Sequence, residues 1–247
     1  KFNHFKNINK IYYKNYNKLN NKLKKIKVDY VIHCATHYVK KHNSNDIKKL
    51  SESNILFGNV ILENLKKMKV KKFINFSTVW ENYDGKKNNF FNLYAAYKMG
   101  FKNLCKYYKN FYKDIKFYNL IIADTFGKND KRKKLINLLR INYKKNKLTK
   151  ILSKKLFINL LNVVDIQKAV RLIIKKNYDS DDYVLKNKND FQIFKIISKI
   201  NKFSKKKIKV KWISNVNHKE RIYKYKSLKG WKPNRSKIRD IIDLIVQ

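Results

Sequence analysis

Apolar positions along the chain fall into two alternating kinds of segment. "KVDYVIHCAT" (27–36), "VKKFINFSTV" (70–79) and "IKFYNLIIADTFG" (115–127) are short apolar runs rich in Val, Ile, Phe and Tyr, and they predict buried strands. Between the first two, residues 46–69 place Leu50, Ile55, Leu56, Val60, Ile61 and Leu65 near a 3.6 period, which predicts an amphipathic helix. A second long helix is expected from about Leu93 to Tyr112, after a polar stretch around Asp84 and Gly85. Beyond 127 the pattern loosens. It predicts a helix near 131–146, a strand-like run near 150–161, a helix from Asp165 to Lys176 with Asp165 as N-cap, and a strand in "DDYVLKN". A helix from Phe191 to Ile200, a strand in "KIKVKWIS" and a terminal helix from Ser236 complete the list. Ahead of the first strand, residues 10–16 suggest one short strand, followed by a helix.

Strands that are continuous apolar runs, alternating with helices, argue for a parallel sheet covered on both faces. The predicted class is α/β, a Rossmann-like doubly wound sheet with a smaller C-terminal α/β part. Residues 1–127 are expected to form the first part, and 128–247 the rest of the sheet with the smaller part. At 247 residues and 43% hydrophobic content, the chain can bury a real core. No apolar run approaches the roughly 20 residues of a membrane-spanning helix. Cys34 and Cys105 are too few for a disulfide framework, read as small core residues, and make a cytoplasmic setting the default. No metal-ligand spacing stands out.

A formal net charge of +44 first suggests a polyanion-binding protein. Lys, Asn, Ile, Tyr and Phe are inflated together, however, and the charge is smeared along the chain and carried by Lys. Arg, which makes the bidentate contacts of sequence readers, is scarce. The sequence therefore points away from specific nucleic-acid binding.

Candidate chemistry centres on "NLYAAYKMG" (92–100), where Tyr94 and Lys98 stand one helical turn apart. Tyr-to-Lys spacings of four also occur at Tyr83, Tyr112, Tyr143 and Tyr225, so context must choose. In parallel sheets ligands sit at the carboxyl ends of strands. Tyr94 begins the helix after the "STVWENY" loop, which itself faces the "CATHY" loop of the first strand. A tyrosine with a reference pKa near 10 needs a neighbouring cation to exchange a proton near neutral pH. Lys98 supplies one, and Ser77 or Thr78 can hydrogen-bond the same substrate oxygen.

Six blocks, "DYVIHCATHY", "SNILFGNVILENLKKMKVKKFINFSTVWENY", "NLYAAYKMGFKNLCKYY", "DTFGKNDKRKKLINLL", "NVVDIQKAV" and "LKGWKP", lie in the order and at roughly the distances seen in the extended short-chain dehydrogenase/reductases. From about residue 27 onward the chain resembles the NAD-dependent epimerase/dehydratase family, most nearly its members acting on nucleotide-linked deoxysugars for surface polysaccharides. The resemblance implies an NAD(P)-dependent epimerase, dehydratase or ketoreductase, with NAD or NADP as cofactor and a sugar nucleotide as substrate. It makes Tyr94 the general acid/base and Lys98 its electrostatic partner and the holder of the nicotinamide ribose. Ala35, Thr36 and Asn54 would lie on the cofactor side, and Thr125 and Gly127 on the loop bordering nicotinamide and sugar. Arg132 and Arg221 would anchor a substrate diphosphate, since a guanidinium fork matches phosphate. Relatives often dimerise through the Tyr/Lys helix, so a homodimer is among the states the resemblance allows.

The pattern departs from the family twice. Where the family carries its catalytic hydroxyl, three residues before Val79, stands Phe76, so that role passes to Ser77 or Thr78. Relatives also begin with a strand, a Gly-rich turn and a helix that binds the cofactor pyrophosphate. The five glycines here, at 58, 85, 100, 127 and 230, form no such cluster. The expectation is that a unit on the order of 40 residues was lost upstream, by fragmentation, a misplaced start or a real deletion; a real deletion would expose a sheet edge and weaken NAD(P) binding. Two alternatives to the enzyme accompany that expectation: a non-catalytic remnant of the fold, and a basic polyanion-binding protein.

Overall fold

The computed structural model describes residues 8–132 and 134–247; residues 1–7, part of the N-terminal stretch, and Lys133, inside the fourth block, lie outside the described residues. The chain divides into two compact units. One joins the chain up to Asn75 with Asn92–Tyr118, and the other joins Phe76–Phe91 with Asn119–Gln247.

In the first unit, α1 (Tyr16–Leu23) is capped by the Asn15 side chain, which accepts from the Lys18 N–H at 3.0 Å. The strand expected at 10–16 is absent, because Asn15 competes better as an N-cap than Lys10, Lys14 and Asn15 do as strand residues. β1 (Tyr30–His33) follows, then a continuous helical stretch of α2 (Asp46–Ser51), a π-helical turn (Glu52–Leu56) and α3 (Phe57–Asn64). β2 (Lys72–Thr78) and α4 (Leu93–Phe111) match the apolar pattern, and β3 (Lys116–Ile122) begins in this unit. β1 and β2 pair in parallel with His33 opposite Asn75. The sheet runs in the order β1, β2, β3, so β1 is an edge strand, and Tyr30 and Ile32 on it are 40% and 44% exposed.

The first unit's core gathers Leu19, Leu62, Leu65, Phe73, Phe101 and Phe117. Each buried Phe is worth about 1.5–3 kcal/mol of transfer free energy. Cys105 belongs to this core, whereas Cys34 is exposed in the loop after β1, contrary to the sequence expectation, because it lies just past the last residue of an edge strand.

In the second unit, the run expected as one strand at 115–127 breaks at Ala123 and resumes as β4 (Asp124–Phe126). α5 (Leu135–Lys144) follows. The run at 150–161 resolves into β5 (Thr149–Ile151), β6 (Leu156–Ile158) and β7 (Leu160–Asn162): at the first break Ser153 accepts from the Lys155 N–H in a local turn, and at the second the Asn159 side chain accepts from the Asn187 N–H. Then come α6 (Val163–Lys175), β8 (Asp181–Leu185), β9 (Phe191–Gln192) and α7 (Ile193–Phe203). β10 (Val210–Trp212), β11 (His218–Lys219), β12 (Lys226–Ser227) and α8 (Ile238–Val246) close the chain. β3 continues the main sheet onto β8 and β12, and β8 and β12 pair in parallel. β4 pairs with β7 and β10 with β5, both in parallel, while β6 takes β11 in parallel and β9 antiparallel. An apolar core of Phe126, Leu139, Leu160, Ile193, Ile196, Ile241 and Ile245 holds these elements. The architecture is α/β with a parallel central sheet.

One expectation is corrected. The N-cap of α6 is Asn162, whose side chain accepts from the Val164 N–H at 3.0 Å, and not Asp165. Asp165 is fully buried and accepts from the backbone N–H of Asn234 and Arg235 and from the Ser236 hydroxyl, at 3.2, 2.9 and 2.6 Å. Although in the first turn of α6, Asp165 turns its carboxylate to donors of the 234–236 segment some 70 residues later.

Candidate active site

In the first unit the site grows from the end of β1. The register of β1 on β2 sets His33 beside Asn75, and the His33 Nδ1 meets Asn75 Oδ1 at 3.3 Å. The ring packs among Phe57, Phe73 and Phe101, the last with its centroid 4.6 Å away. Burial, and after it the Lys98 ammonium, hold its pKa down to about 4, so His33 is neutral near pH 7. That coupling locates Lys98: although on α4, it acts on His33 and on Cys34, and so lies at the carboxyl end of β1.

α4 starts at an Asn92 cap that accepts from the Ala95 N–H at 3.0 Å. Tyr94 sits at the second helical position and Lys98 one turn on, the lysine only 3% exposed. The Tyr94 ring meets Tyr38, from the loop after β1, edge to face at 5.1 Å. Tyr94, Lys98 and the 34–38 loop are therefore brought together.

Asn54 fixes that loop. The π-helical turn carrying it is wider than the flanking helix, and the residue is 1% exposed instead of lying on the helix surface. Its Oδ1 accepts from the Thr36 hydroxyl at 2.7 Å and the His37 N–H at 3.1 Å, and its Nδ2 donates to the His37 carbonyl at 3.0 Å. Ala35, Thr36 and His37 then line an open pocket of about 440 Å³ bordered also by Tyr13, Tyr16, Lys49, Glu52, Ser53 and Phe57. Tyr13 and Phe57 stack along its wall, 6.3 Å apart and 16° from parallel, and the buried Nε2 of His37 has no partner.

The second unit holds the hydroxyls at the end of β2. Ser77 donates to Glu81 Oε2 at 2.6 Å, inside a network in which Tyr225 donates to Glu81 Oε1 at 2.6 Å and Asn82 Nδ2 donates to the Tyr225 hydroxyl at 2.5 Å. Thr78 Oγ1 instead accepts from the Trp80 N–H at 3.3 Å, which leaves its own proton to donate. Thr125 is buried and accepts from Arg132 Nη2 at 3.0 Å, while Arg132 grips both oxygens of Asp130 at 2.8 and 2.6 Å. Arg221 packs against Gly85, where an added Cβ would stand 3.3 Å from its own Cβ.

Sequence reasoning missed this Glu81–Tyr225–Asn82 network. Its members lie 143 and 144 positions apart, and the one local sign was a Glu-Asn pair directly after a strand end. Among the described residues there is no group of three or more His, Cys, Asp or Glu placed to hold a metal ion, and no helix long and apolar enough to cross a membrane.

Comparison with known proteins identifies the family. Residues 2–185 match the model of the NAD dependent epimerase/dehydratase family. The chain belongs to that family. Within it, the chain is similar to the CDP-abequose synthase of Yersinia pseudotuberculosis, 25% identical over 190 residues, covering 75% of this chain and 66% of that one. It is also similar to the CDP-abequose synthase of Salmonella muenchen, 26% identical over 153 residues, covering 62% of this chain and 51% of the other. The chain thus matches about half to two thirds of the length of these curated relatives. Among solved structures, the UDP-glucuronic acid 4-epimerase of Bacillus cereus in complex with NAD superposes with a TM-score of 0.76 at 18% identity, over 92% of this chain and 77% of that one. The UDP-glucose 4-epimerase of Thermus thermophilus, also with NAD, gives 0.72 at 16%, over 94% and 82%. At these identities the likeness is one of fold, and it is the parallel α/β fold derived above.

Proposed function

We propose that this chain carries out NAD(P)-linked chemistry on a nucleotide-linked sugar, as an epimerase, dehydratase or ketoreductase. The observation that carries the reading is the buried Lys98 ammonium, set one turn from Tyr94 and against the end of β1. A lysine costs free energy to bury, and this one stands where a strand end meets the start of a helix, the usual place for ligands in parallel sheets.

The residues fit a dinucleotide at its ribose side. The cavity beside Ala35 and Thr36 is bordered by the orphaned His37 Nε2 and an aromatic wall, features that suit a polar, planar ligand. Ala35 and Thr36 would run along the cofactor with Asn54 bracing them, and Lys98 would reach the nicotinamide ribose. When bound, the nicotinamide supplies hydride exchange with a sugar carbon. Tyr94 gives or takes the proton on the sugar oxygen, and Lys98 favours its phenolate. Thr78 contributes a hydroxyl donor to the substrate, a role for which Ser77, already donating to Glu81, is less suited. Arg221 and, on release from Asp130, Arg132 are the diphosphate anchors.

The two similar synthases carry CDP in their names, so cytidine-diphosphate sugars are the first substrates to try, followed by uridine-diphosphate sugars. Calorimetric titration of NAD and NADPH, with turnover of a panel of these sugars followed by nuclear magnetic resonance, tests the reading. Cofactor binding in wild type, and turnover lost in Tyr94→Phe with binding kept, is the expected result. Absence of cofactor binding leaves the fold as a scaffold and removes the catalytic roles of Tyr94 and Lys98.

A further inference from the structure

Glu220, directly after β11, is a buried carboxyl that the proposed chemistry does not use. The Trp80 indole hydrogen-bonds it, while its Oε1 is buried with no partner. The same Trp80 donates its backbone N–H to Thr78 Oγ1 at 3.3 Å. One residue therefore joins the carboxyl to the strand-end hydroxyl. Around this joint the 220–225 segment closes on the 79–85 turn at two more points. Arg221 packs on Gly85, a glycine at φ +71° with too little room for a relaxed side chain, and Tyr225 bonds both Glu81 and Asn82.

We propose that Glu220 is a pH-sensitive positioning residue, acting through Trp80 on the turn that holds Thr78, with its neutral carboxyl the state that keeps this turn ordered. The proposal rests on the role given to Thr78 above.

Three acidic neighbours act on the carboxyl: Asp124 on β4, Asp190 before β9 and Asp84 in the turn. Tyr83, in the same turn, is itself pushed up by burial and then by Glu220. Of the nearby cations, Lys134 is held on Asp124 at 3.1 Å, and Lys219 and Arg221 flank Glu220 in sequence. The Trp80 indole favours the anion, but burial and the three carboxylates outweigh it and lift the pKa to about 7. Ionisation puts a poorly solvated charge among like charges, and the relief available is entry of water or withdrawal of the segment, either of which loosens Trp80. At pH 8 about one molecule in ten would keep the neutral carboxyl, so most molecules would carry the charge that weakens this turn.

The full chain, labelled with nitrogen-15 at its three tryptophans, tests this, with the Trp80 indole signal assigned through Trp80→Phe. The signal is expected to titrate with a midpoint near 7 and to stop titrating in Glu220→Gln, which keeps the shape of the neutral acid. A midpoint near the ordinary glutamate value, or an unchanged titration in Glu220→Gln, overturns the proposal. Turnover against pH separates it from the functional reading. An alkaline fall in wild type that Glu220→Gln removes supports it, and an identical fall in both defeats it. Should Trp80 titrate as expected in a chain that turns over no sugar, the latch stands and the catalytic reading falls.

Discussion

Each unit of this protein holds a titratable side chain whose proton affinity packing has moved far from the ordinary value, and the two shifts have opposite consequences. In the first, His33 is held down to about 4 by burial and by Lys98. In the second, Glu220 is pushed up to about 7 by burial and by Asp124, Asp190 and Asp84. The lesson is shared: desolvation and like-charged neighbours act together, so the base is neutral near pH 7 and the acid keeps its proton up to about that pH. The stability signs then differ. His33 binds a proton more readily unfolded, near 6.5, than folded, so its contribution is complete above 6.5 and is lost as pH falls toward 4. Glu220 binds its proton more readily folded, so its contribution is complete below 4.5 and is lost as pH rises through 7.

The sharpest way to break the comparison is Lys98→Met. Turnover should fall by on the order of 10²–10⁴, as expected when a proton-transfer group loses its activating charge. The same substitution should raise the His33 pKa part-way toward its ordinary value, since burial remains, and leave the Trp80 signal of the second unit where it was. Imidazole resonances followed through about pH 3–8, a range that brackets the folded and ordinary values, decide this. A His33 titration unmoved by the loss of Lys98 would remove the like-charge half of the argument in the first unit.

The pH limbs come next in size. Displacement from 6.5 to about 4 for His33, or from 4.5 to about 7 for Glu220, is worth about 3 kcal/mol at full effect, lost on the acid side for His33 and on the alkaline side for Glu220. Between about 4.5 and 6.5 the two slopes oppose and nearly cancel, so a single urea midpoint for the chain should stay almost flat there. Hydrogen exchange resolved by residue should instead show β1 and β2 losing protection toward pH 4, and the 218–227 segment losing it above pH 7. His33→Gln should abolish the first trend and Glu220→Gln the second.

How far the sequence disclosed all this depended on range. Strands and helices that repeat a local period, such as β2 and α4, were legible, and so was the placing of Tyr94 and Lys98 one turn apart on the helix that follows a strand-end loop. Asn54 was placed through family resemblance, although the π-helical turn that buries it leaves no mark in the composition. Asp165 was misread because an acidic residue near a helix start has a local use, and its actual donors lie some 70 positions away. Glu220 and the Tyr225–Glu81 bond were illegible for the same reason. Burial of a polar group is created by packing among distant segments, and no short window contains it.

Backbone space gives a smaller and cleaner test of whether the two units lose stability separately. A Cβ on Gly58 in α3 would stand 2.3 and 2.4 Å from two ring carbons of Phe101 and 3.0 Å from His33 Nε2. Phe101 is fully buried in the first unit's core. Gly58→Ala should therefore cost about 1–3 kcal/mol as an overpacked core does, and should lower protection in the first unit. It should also disturb the His33 titration.

Gly85→Ala is the matched change in the second unit and the mildest of the set. At φ +71° a side chain brings about 1–2 kcal/mol of backbone strain, and its methyl group would press on Arg221 Cβ, a contact at 3.3 Å that a small shift of the segment can relieve. The expected result is a loss of about 1 kcal/mol, with protection falling at 79–85 and 220–225 and the His33 signal unchanged. If Gly58→Ala and Gly85→Ala instead lower protection in both units by equal amounts, the chain unfolds as one cooperative body. The opposed pH limbs would then have to be read from the His33 and Trp80 signals alone, since stability itself would sum them.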